Sequence, residues 1–188
     1  DRSSFDEVVD AVATFVRDKG GILAGESMGG LIATAAALKL SDAKKIDKLR
    51  GVVLVNPATS YDRTPWPLGG RVVSSANGVA YAGAIGAAVG LLASDGSMVS
   101  KSLQEFSSLD FSGLERAVNG AQALADLVPP ETLKHRVENW LDGGCSKTNE
   151  RLWRLRRTGR STKFLVICGE DDRFLPSKDE AERLKKAL

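Results

Sequence analysis

Gly21-Ile22-Leu23-Ala24-Gly25-Glu26-Ser27-Met28-Gly29-Gly30 joins a short apolar run to an Ala- and Leu-rich stretch that continues from Gly29 to Leu40. The run has the length and glycine boundaries of a buried strand, and the stretch after it has helix-forming composition, so the junction predicts a strand, a sharp turn and a helix. Gly25 and Gly29 flank Ser27 at a two-residue distance, and Gly30 lets the helix approach the sheet. A nucleophilic serine needs such a turn, because the strained junction exposes its Oγ and the next backbone N–H can stabilise an oxyanion. In this reading Ser27 is the nucleophile, the Met28 N–H is one oxyanion donor, and Glu26 fills the variable position. The same residues also suit an ordinary glycine-rich turn in which Ser27 caps the helix.

Upstream, Ser4 and Glu7 form a capping-box pattern, and Phe5, Val8, Val9, Val12, Phe15 and Val16 recur at helical spacing until Gly20-Gly21. Downstream, Gly51-Val52-Val53-Leu54-Val55 ends at Asn56-Pro57 and predicts a buried parallel strand. A third apolar run, Lys163-Phe164-Leu165-Val166-Ile167-Cys168, leads into Gly169-Glu170-Asp171-Asp172 and then a helix with a capping box at Ser177 and Glu180. Strands alternating with helices imply an α/β fold with a parallel, doubly wound sheet. Roughly a hundred residues of helical periodicity separate the second and third strands, far more than the ~2–6 residues usual for such connections. The expected organisation is therefore a core in two parts, residues 1–60 and 162–188, interrupted by a helical lid or cap over 61–161, with further core strands outside these residues.

The elbow resembles that of the α/β-hydrolases, whose triad runs Ser, then Asp or Glu, then His, the acid following a later strand. Asp172 fits a spacing of Gly169, two residues, the acid, three residues, Pro176, and is preferred over Asp171; an Asp-rich turn capping the next helix is the plainer alternative. No histidine follows Asp172. The only one, His135, lies before the acid in a helical segment, Glu131 to Val137, and reads as a structural side chain. The base is expected beyond Leu188, after one more strand, and the second oxyanion donor upstream of Asp1.

Of the 188 residues, 26 are basic and 24 acidic, so charge makes no case for nucleic acid. Cys145 and Cys168 lack disulfide-framework or zinc spacing, and no metal or redox cofactor is needed by the chemistry above. No signal or transit segment is legible at the start of the chain. From Val72 to Ser94 there is no charged residue, which suits a lid that receives a long acyl chain, or an ordinary core helix; Ser, Asn and Gly residues weaken a membrane-spanning reading. Arg151, Arg154, Arg156, Arg157, Arg160 and Lys163 cluster around Trp153, either as a solvated helix face or as a patch for anionic head groups.

Beyond the elbow, Gly25-Glu26-Ser27-Met28-Gly29-Gly30, Asn56-Pro57-Ala58-Thr59-Ser60, Pro129-Pro130-Glu131-Thr132-Leu133 and Leu175 to Leu184 resemble segments of the plant and algal esterase/lipase/thioesterase family that includes the chloroplast phytyl ester synthases. The resemblance spans nearly the whole chain, and Asn56 to Ser60 is more specific than the elbow itself. It implies an acyl enzyme on Ser27, a fatty acyl donor such as acyl-CoA, acyl carrier protein or galactolipid, and an alcohol acceptor such as phytol or diacylglycerol. A chloroplast location and a peripheral membrane or lipid-droplet surface follow from the resemblance alone. A small-ester hydrolase and a non-catalytic lipid-binding protein of the same fold remain the alternatives.

Overall fold

The computed structural model describes residues 3–93, 119–120, 122–123, 125–158, 162–170, 172 and 175–188. The chain divides into two units, one made of Asp1–Pro67 with His135–Leu188, the other of Leu68–Lys134. The first unit holds a parallel sheet in the order β1-β2-β3, with β1 at Gly21–Glu26, β2 at Leu49–Val55 and β3 at Lys163–Ile167. Helix α1 (Phe5–Lys19) precedes β1, and α2 (Met28–Asp42) follows it.

The start of α1 is the capping box expected from sequence: the Glu7 N–H donates to Ser4 Oγ, and the Glu7 carboxylate accepts from the Ser4 N–H at 2.7 Å. The Ser4 N–H, and after it the Ser4 hydroxyl, which also donates to that carboxylate at 2.9 Å, hold the exposed Glu7 carboxyl below its ordinary value. The buried stripe of α1 is Phe5, Val9, Ala13 and Val16, whereas Phe15, though in phase by spacing, stands 65% exposed. Helix α2 buries Leu31, Ala33, Ala36, Ala37, Leu38 and Leu40, so it is apolar nearly all round. That suits its place between α1 and the sheet, where it packs on both β1 and β2.

In register, Glu26, Val55 and Ile167 lie side by side, so the residues that follow them leave the sheet at one common edge. Within the sheet, Leu23, Val52 and Phe164 share one face with Gly25, Leu54 and Val166, and this face joins the core. Only the central strand β2 approaches the burial expected of a parallel strand; β1 and β3 alternate, leaving Ile22, Leu165 and Ile167 on the other face at 66%, 54% and 47% exposure.

Residues 135–158, grouped with the helical insertion by sequence pattern, belong to the first unit. A π-helical segment, Arg136–Asp142, leads into α6 (Gly143–Asn149) and α7 (Trp153–Thr158), which pack on α2. Gly144 lets α6 also approach α1, since a Cβ there would stand 2.8 Å from the Phe5 ring. Arg151 and Arg154 both pair with Asp42 of α2, and the Arg154 guanidinium lies 5.5 Å over the Trp153 ring. Two of the five arginines of the patch thus tie the N-terminal end of α7 and the residues before it to α2; Arg160 lies outside the described residues.

The second unit has its own small core. Helix α3 begins in the first unit at Trp66 and runs to Ser75, α4 is Gly78–Ala93, and α5 is Pro130–His135. Tyr81, Ala82 and Ala125 are buried together, with Val73, Ala76, Ile85 and Leu133 against them. The Tyr81 hydroxyl donates to the Val128 carbonyl, and burial, then the Glu131 charge, pushes its pKa up. Leu68, Val72, Val79 and Leu127 are two-thirds or more exposed. No helix of the described residues is long and apolar enough to cross a membrane.

The final helix, α8 (Ser177–Ala187), corrects one sequence expectation. Its N-cap is Pro176 with no side-chain cap, and the predicted box at Ser177 and Glu180 is absent. Ser177, Glu180 and Leu184 are one stripe at helical spacing, and that stripe faces inward. Other partners take both polar groups before the helix end can: Ser177 Oγ donates to Asp172, five residues before it, and Glu180 meets Arg183 and the distant Thr59 and Arg63.

Candidate active site

Ser27 occupies the junction between β1 and α2 with φ 50° and ψ −117°, a conformation that costs an L-residue about 1–3 kcal/mol. Neighbouring turns hold it there. Its N–H donates to the Val55 carbonyl at 2.9 Å, and its own carbonyl accepts from the N–H groups of Ala58, Gly30 and Leu31 at 2.8, 3.0 and 3.3 Å. The side chain makes no capping bond to α2 and is exposed. Ser27 is therefore not the helix-capping serine of the plainer sequence reading. Met28 is the first residue of α2, so its N–H is among those with no partner inside the helix, and it points with the positive end of the helix dipole.

The glycines of the motif differ in what they do. A Cβ on Gly25 would lie 2.3 Å from the Gly29 carbonyl oxygen, and one on Gly30 would lie 2.8 Å from Pro57 Cβ. At Gly29 nothing stands within 4 Å. Steric need thus falls on Gly25 and Gly30, and the second glycine of the signature has room for a side chain. We expect Gly25→Ala to destabilise the protein by roughly 3 kcal/mol or more, because the clash is with backbone that cannot turn aside. Gly29→Ala should keep or gain up to ~1 kcal/mol, since alanine suits a helix better than glycine. Denaturant midpoints of the two variants check this; equal losses would refute it.

Asp172 lies beyond the end of β3 and is partly buried. Its Oδ1 accepts from the Leu175 N–H at 3.1 Å and its Oδ2 from Ser177 Oγ. An ionised carboxylate has about four lone-pair sites, so two local donors fix its plane and leave capacity for an imidazole N–H. Asp171, the other candidate acid, lies outside the described residues. β1 and β3 flank β2, so the strands carrying Ser27 and Asp172 are two positions apart, roughly 10 Å by ordinary strand spacing.

His135, the lone histidine, sits at the end of α5 with Nε2 2.9 Å from the Ser3 carbonyl and Nδ1 3.2 Å from Asn139 Nδ2. Its ring also meets the Trp140 edge at 6.4 Å. The structure thus brings Ser27 and Asp172 to one sheet edge and gives His135 structural partners.

Sequence reasoning singled out Asn56 to Ser60 only as a point of resemblance and gave them no role in the site. Asn56 follows β2 with φ 40°, donates its N–H to the Ile167 carbonyl at 2.9 Å, and accepts from the Gly169 N–H on Oδ1 at 2.8 Å. The 3-10 helix Ala58–Arg63 then meets Glu180, whose fully buried carboxylate accepts from Thr59 Oγ1, Arg63 and Arg183. Arg183 also donates to Asn149 Oδ1 at 2.9 Å, and Asn149 Nδ2 donates to the Thr59 carbonyl at 2.8 Å. A positive φ at an asparagine was foreseeable, since Asn tolerates that region better than other non-glycine residues; its partner was not.

Cys145, buried beneath the same segment, donates to the Thr59 carbonyl at 3.3 Å, and burial pushes its thiol up to about 12. It is a core residue, with negligible thiolate at neutral pH. Among the described residues no group of three or more His, Cys, Asp or Glu side chains is placed to hold a metal ion. The clefts in the first unit include one of about 330 Å³ bordered by Asp6, Asp10, Lys39 and Arg151, and one of about 660 Å³ bordered by Phe164, Val166, Leu184 and Leu188; neither is lined by Ser27 or Asp172.

No curated protein and no solved structure matches the chain. The Alpha/beta hydrolase family model matches residues 1–188. With a parallel sheet flanked by helices and a serine held in a strained strand-to-helix turn, the chain belongs to the α/β hydrolase family, a family of general hydrolase and esterase type.

Proposed function

We propose that this protein carries out serine-dependent acyl transfer or ester hydrolysis on fatty acyl lipids, through an ester formed on Ser27. The observation that carries the proposal is the Ser27 backbone: its strained φ and ψ hold an exposed Oγ at the N-terminus of α2, with no capping bond to occupy it. Ser27 Oγ attacks the acyl carbonyl and passes its proton to a histidine contributed from outside residues 1–188. Asp172 holds that imidazole in the productive tautomer, and the Met28 N–H donates to the oxyanion. The imidazolium returns its proton to the departing alcohol or thiol, leaving acyl-Ser27; an alcohol or water then attacks by the reverse sequence.

The fatty acyl preference is supported by the second unit. It contains the uncharged stretch from Val72 to Ser94 and exposes Leu68, Val72, Val79 and Leu127. Each CH₂ of an acyl chain removed from water by such a surface contributes ~0.8 kcal/mol. By the family resemblance the acceptor is phytol or diacylglycerol, and the setting a chloroplast membrane or lipid-droplet surface.

The test incubates the full-length protein with a palmitoyl thioester, with and without phytol, followed by acid quench and mass spectrometry. A palmitoyl adduct on the peptide containing Ser27, with phytyl palmitate rising as phytol is added, is expected. Free palmitate at every phytol concentration would replace transfer by hydrolysis. Turnover without an adduct, unchanged in Ser27→Ala, would overturn the serine reading altogether.

A further inference from the structure

We infer that Asn56 is a positioning residue: its side-chain amide, set by a left-handed backbone, holds the turn that carries Asp172 in place relative to Ser27. This rests on the roles given above to Ser27 and Asp172. The turn after β2 bonds to both of its neighbours. Towards the elbow, the Val55 carbonyl accepts from the Ser27 N–H, the Ala58 N–H donates to the Ser27 carbonyl, and Pro57 sits where a Cβ on Gly30 would be. Towards the acid, the Asn56 N–H donates to the Ile167 carbonyl and Asn56 Oδ1 accepts from the Gly169 N–H.

Gly169 is the point at which β3 gives way to the acid turn. The space a Cβ would occupy there is bounded by the Asn56 amide at 3.6 Å and Asp172 Cβ at 3.9 Å. The Asn56 side chain thus closes on the backbone directly under the acid. At its other end the acid turn passes into α8, which Glu180 ties to Thr59 and Arg63 of the same segment. Both ends of the acid turn are therefore held by residues 56–63, which also grip the elbow. Of the side-chain bonds involved, that of Asn56 to Gly169 is the one at the mouth of β3, where a small tilt is passed straight to Asp172.

Glycine separates the two contributions of Asn56. It accepts φ 40° without cost and keeps the backbone N–H for Ile167, while removing the acceptor for Gly169. In the full-length protein, with p-nitrophenyl butyrate as substrate, Asn56→Gly should lower kcat by about tenfold to a hundredfold, in line with a misplacement of about 1 Å. KM should change by less than about twofold, and labelling of Ser27 by a fluorophosphonate should still reach one per molecule, only more slowly. The acid limb of the pH profile should move to lower pH, because an imidazole with a loosened carboxylate partner is a weaker base. Asn56→Asp restores an acceptor oxygen and tolerates positive φ, and should recover most of the lost rate.

A native kcat in Asn56→Gly would overturn the inference. So would a loss explained by a smaller labelled fraction with an unchanged pH profile, or an Asn56→Asp variant as slow as the glycine one. Ser27→Ala, measured alongside, separates the two levels: if it retains native turnover the serine reading has failed, and if it is inactive while Asn56→Gly is native only the positioning inference has failed.

Discussion

Ser27→Ala is expected to abolish ester turnover by the full-length protein while leaving its fold intact. The bonds that hold the elbow are to the Ser27 backbone, and the side chain is exposed with no capping bond, so truncation leaves those bonds in place. Stability should change by no more than ~0.5 kcal/mol, the usual range for an exposed site away from caps and packed cores. The rate should fall by a factor on the order of 10⁴–10⁶, since loss of the nucleophile disables a triad as a unit. Asp172→Asn should cost roughly 10⁴ for a different reason: the amide oxygen can still accept from the Leu175 N–H, and the Ser177 hydroxyl can turn to accept from the amide NH₂, yet the side chain no longer holds the imidazole in the right tautomer. Initial rates with p-nitrophenyl butyrate and a thermal melt on each variant give both numbers. A Ser27→Ala protein that melts as the native one and still turns over at more than about a tenth of its rate would exclude Ser27 as nucleophile.

The largest stability effect is expected at Glu180. Its side chain is fully buried and receives hydrogen bonds from Thr59, Arg63 and Arg183. Glu180→Ala removes the shared acceptor, leaves the buried Thr59 hydroxyl without that partner, and takes from Arg183, whose side chain is only 29% exposed, its carboxylate partner while Asn149 remains. Breaking a buried pair from one side typically costs about 3–5 kcal/mol. For a chain of this size that corresponds to a fall in Tm of roughly 6–20 °C. Arg63→Ala should cost no more than ~1 kcal/mol, because that side chain is 44% exposed and the pairing is shared with water. Denaturant unfolding of both variants checks the asymmetry; a Glu180→Ala loss below about 1 kcal/mol, or one equal to that of Arg63→Ala, would mean that the carboxylate is not what joins α8 to residues 58–63.

These expectations draw on unequal shares of sequence and structure. The elbow was legible because Gly25, Ser27 and Gly30 meet local requirements: a strand must end, a helix must begin, and the backbone must return so close that a Cβ on Gly25 would lie 2.3 Å from the Gly29 carbonyl oxygen. The Ser4 and Glu7 box was legible for the same reason, since both partners are on one turn of chain. At Ser177 and Glu180 the same local pattern misled. There the inward stripe of α8 decided the matter, and contacts with residues more than a hundred positions away outweighed a cap worth ~1 kcal/mol. Arg151 and Arg154 show the converse, because Asp42, which pairs with both, lies on α2, far from them in the chain.

By itself, the sequence determined the hydrolase class, the elbow, the three parallel strands and the turn after β3 that carries Asp172. Each of these follows from short-range periodicity, steric need or turn chemistry within a few residues. Tertiary structure alone decided that Ser27 Oγ makes no capping bond and that residues 135–158 pack with α2. It also decided that Asn56 closes on Gly169 and that Glu180 is buried among two arginines and a threonine. The physical reason is common to all four: a side chain's hydrogen-bond partner and burial are set by whichever strand or helix is brought beside it, and that neighbour is distant in sequence.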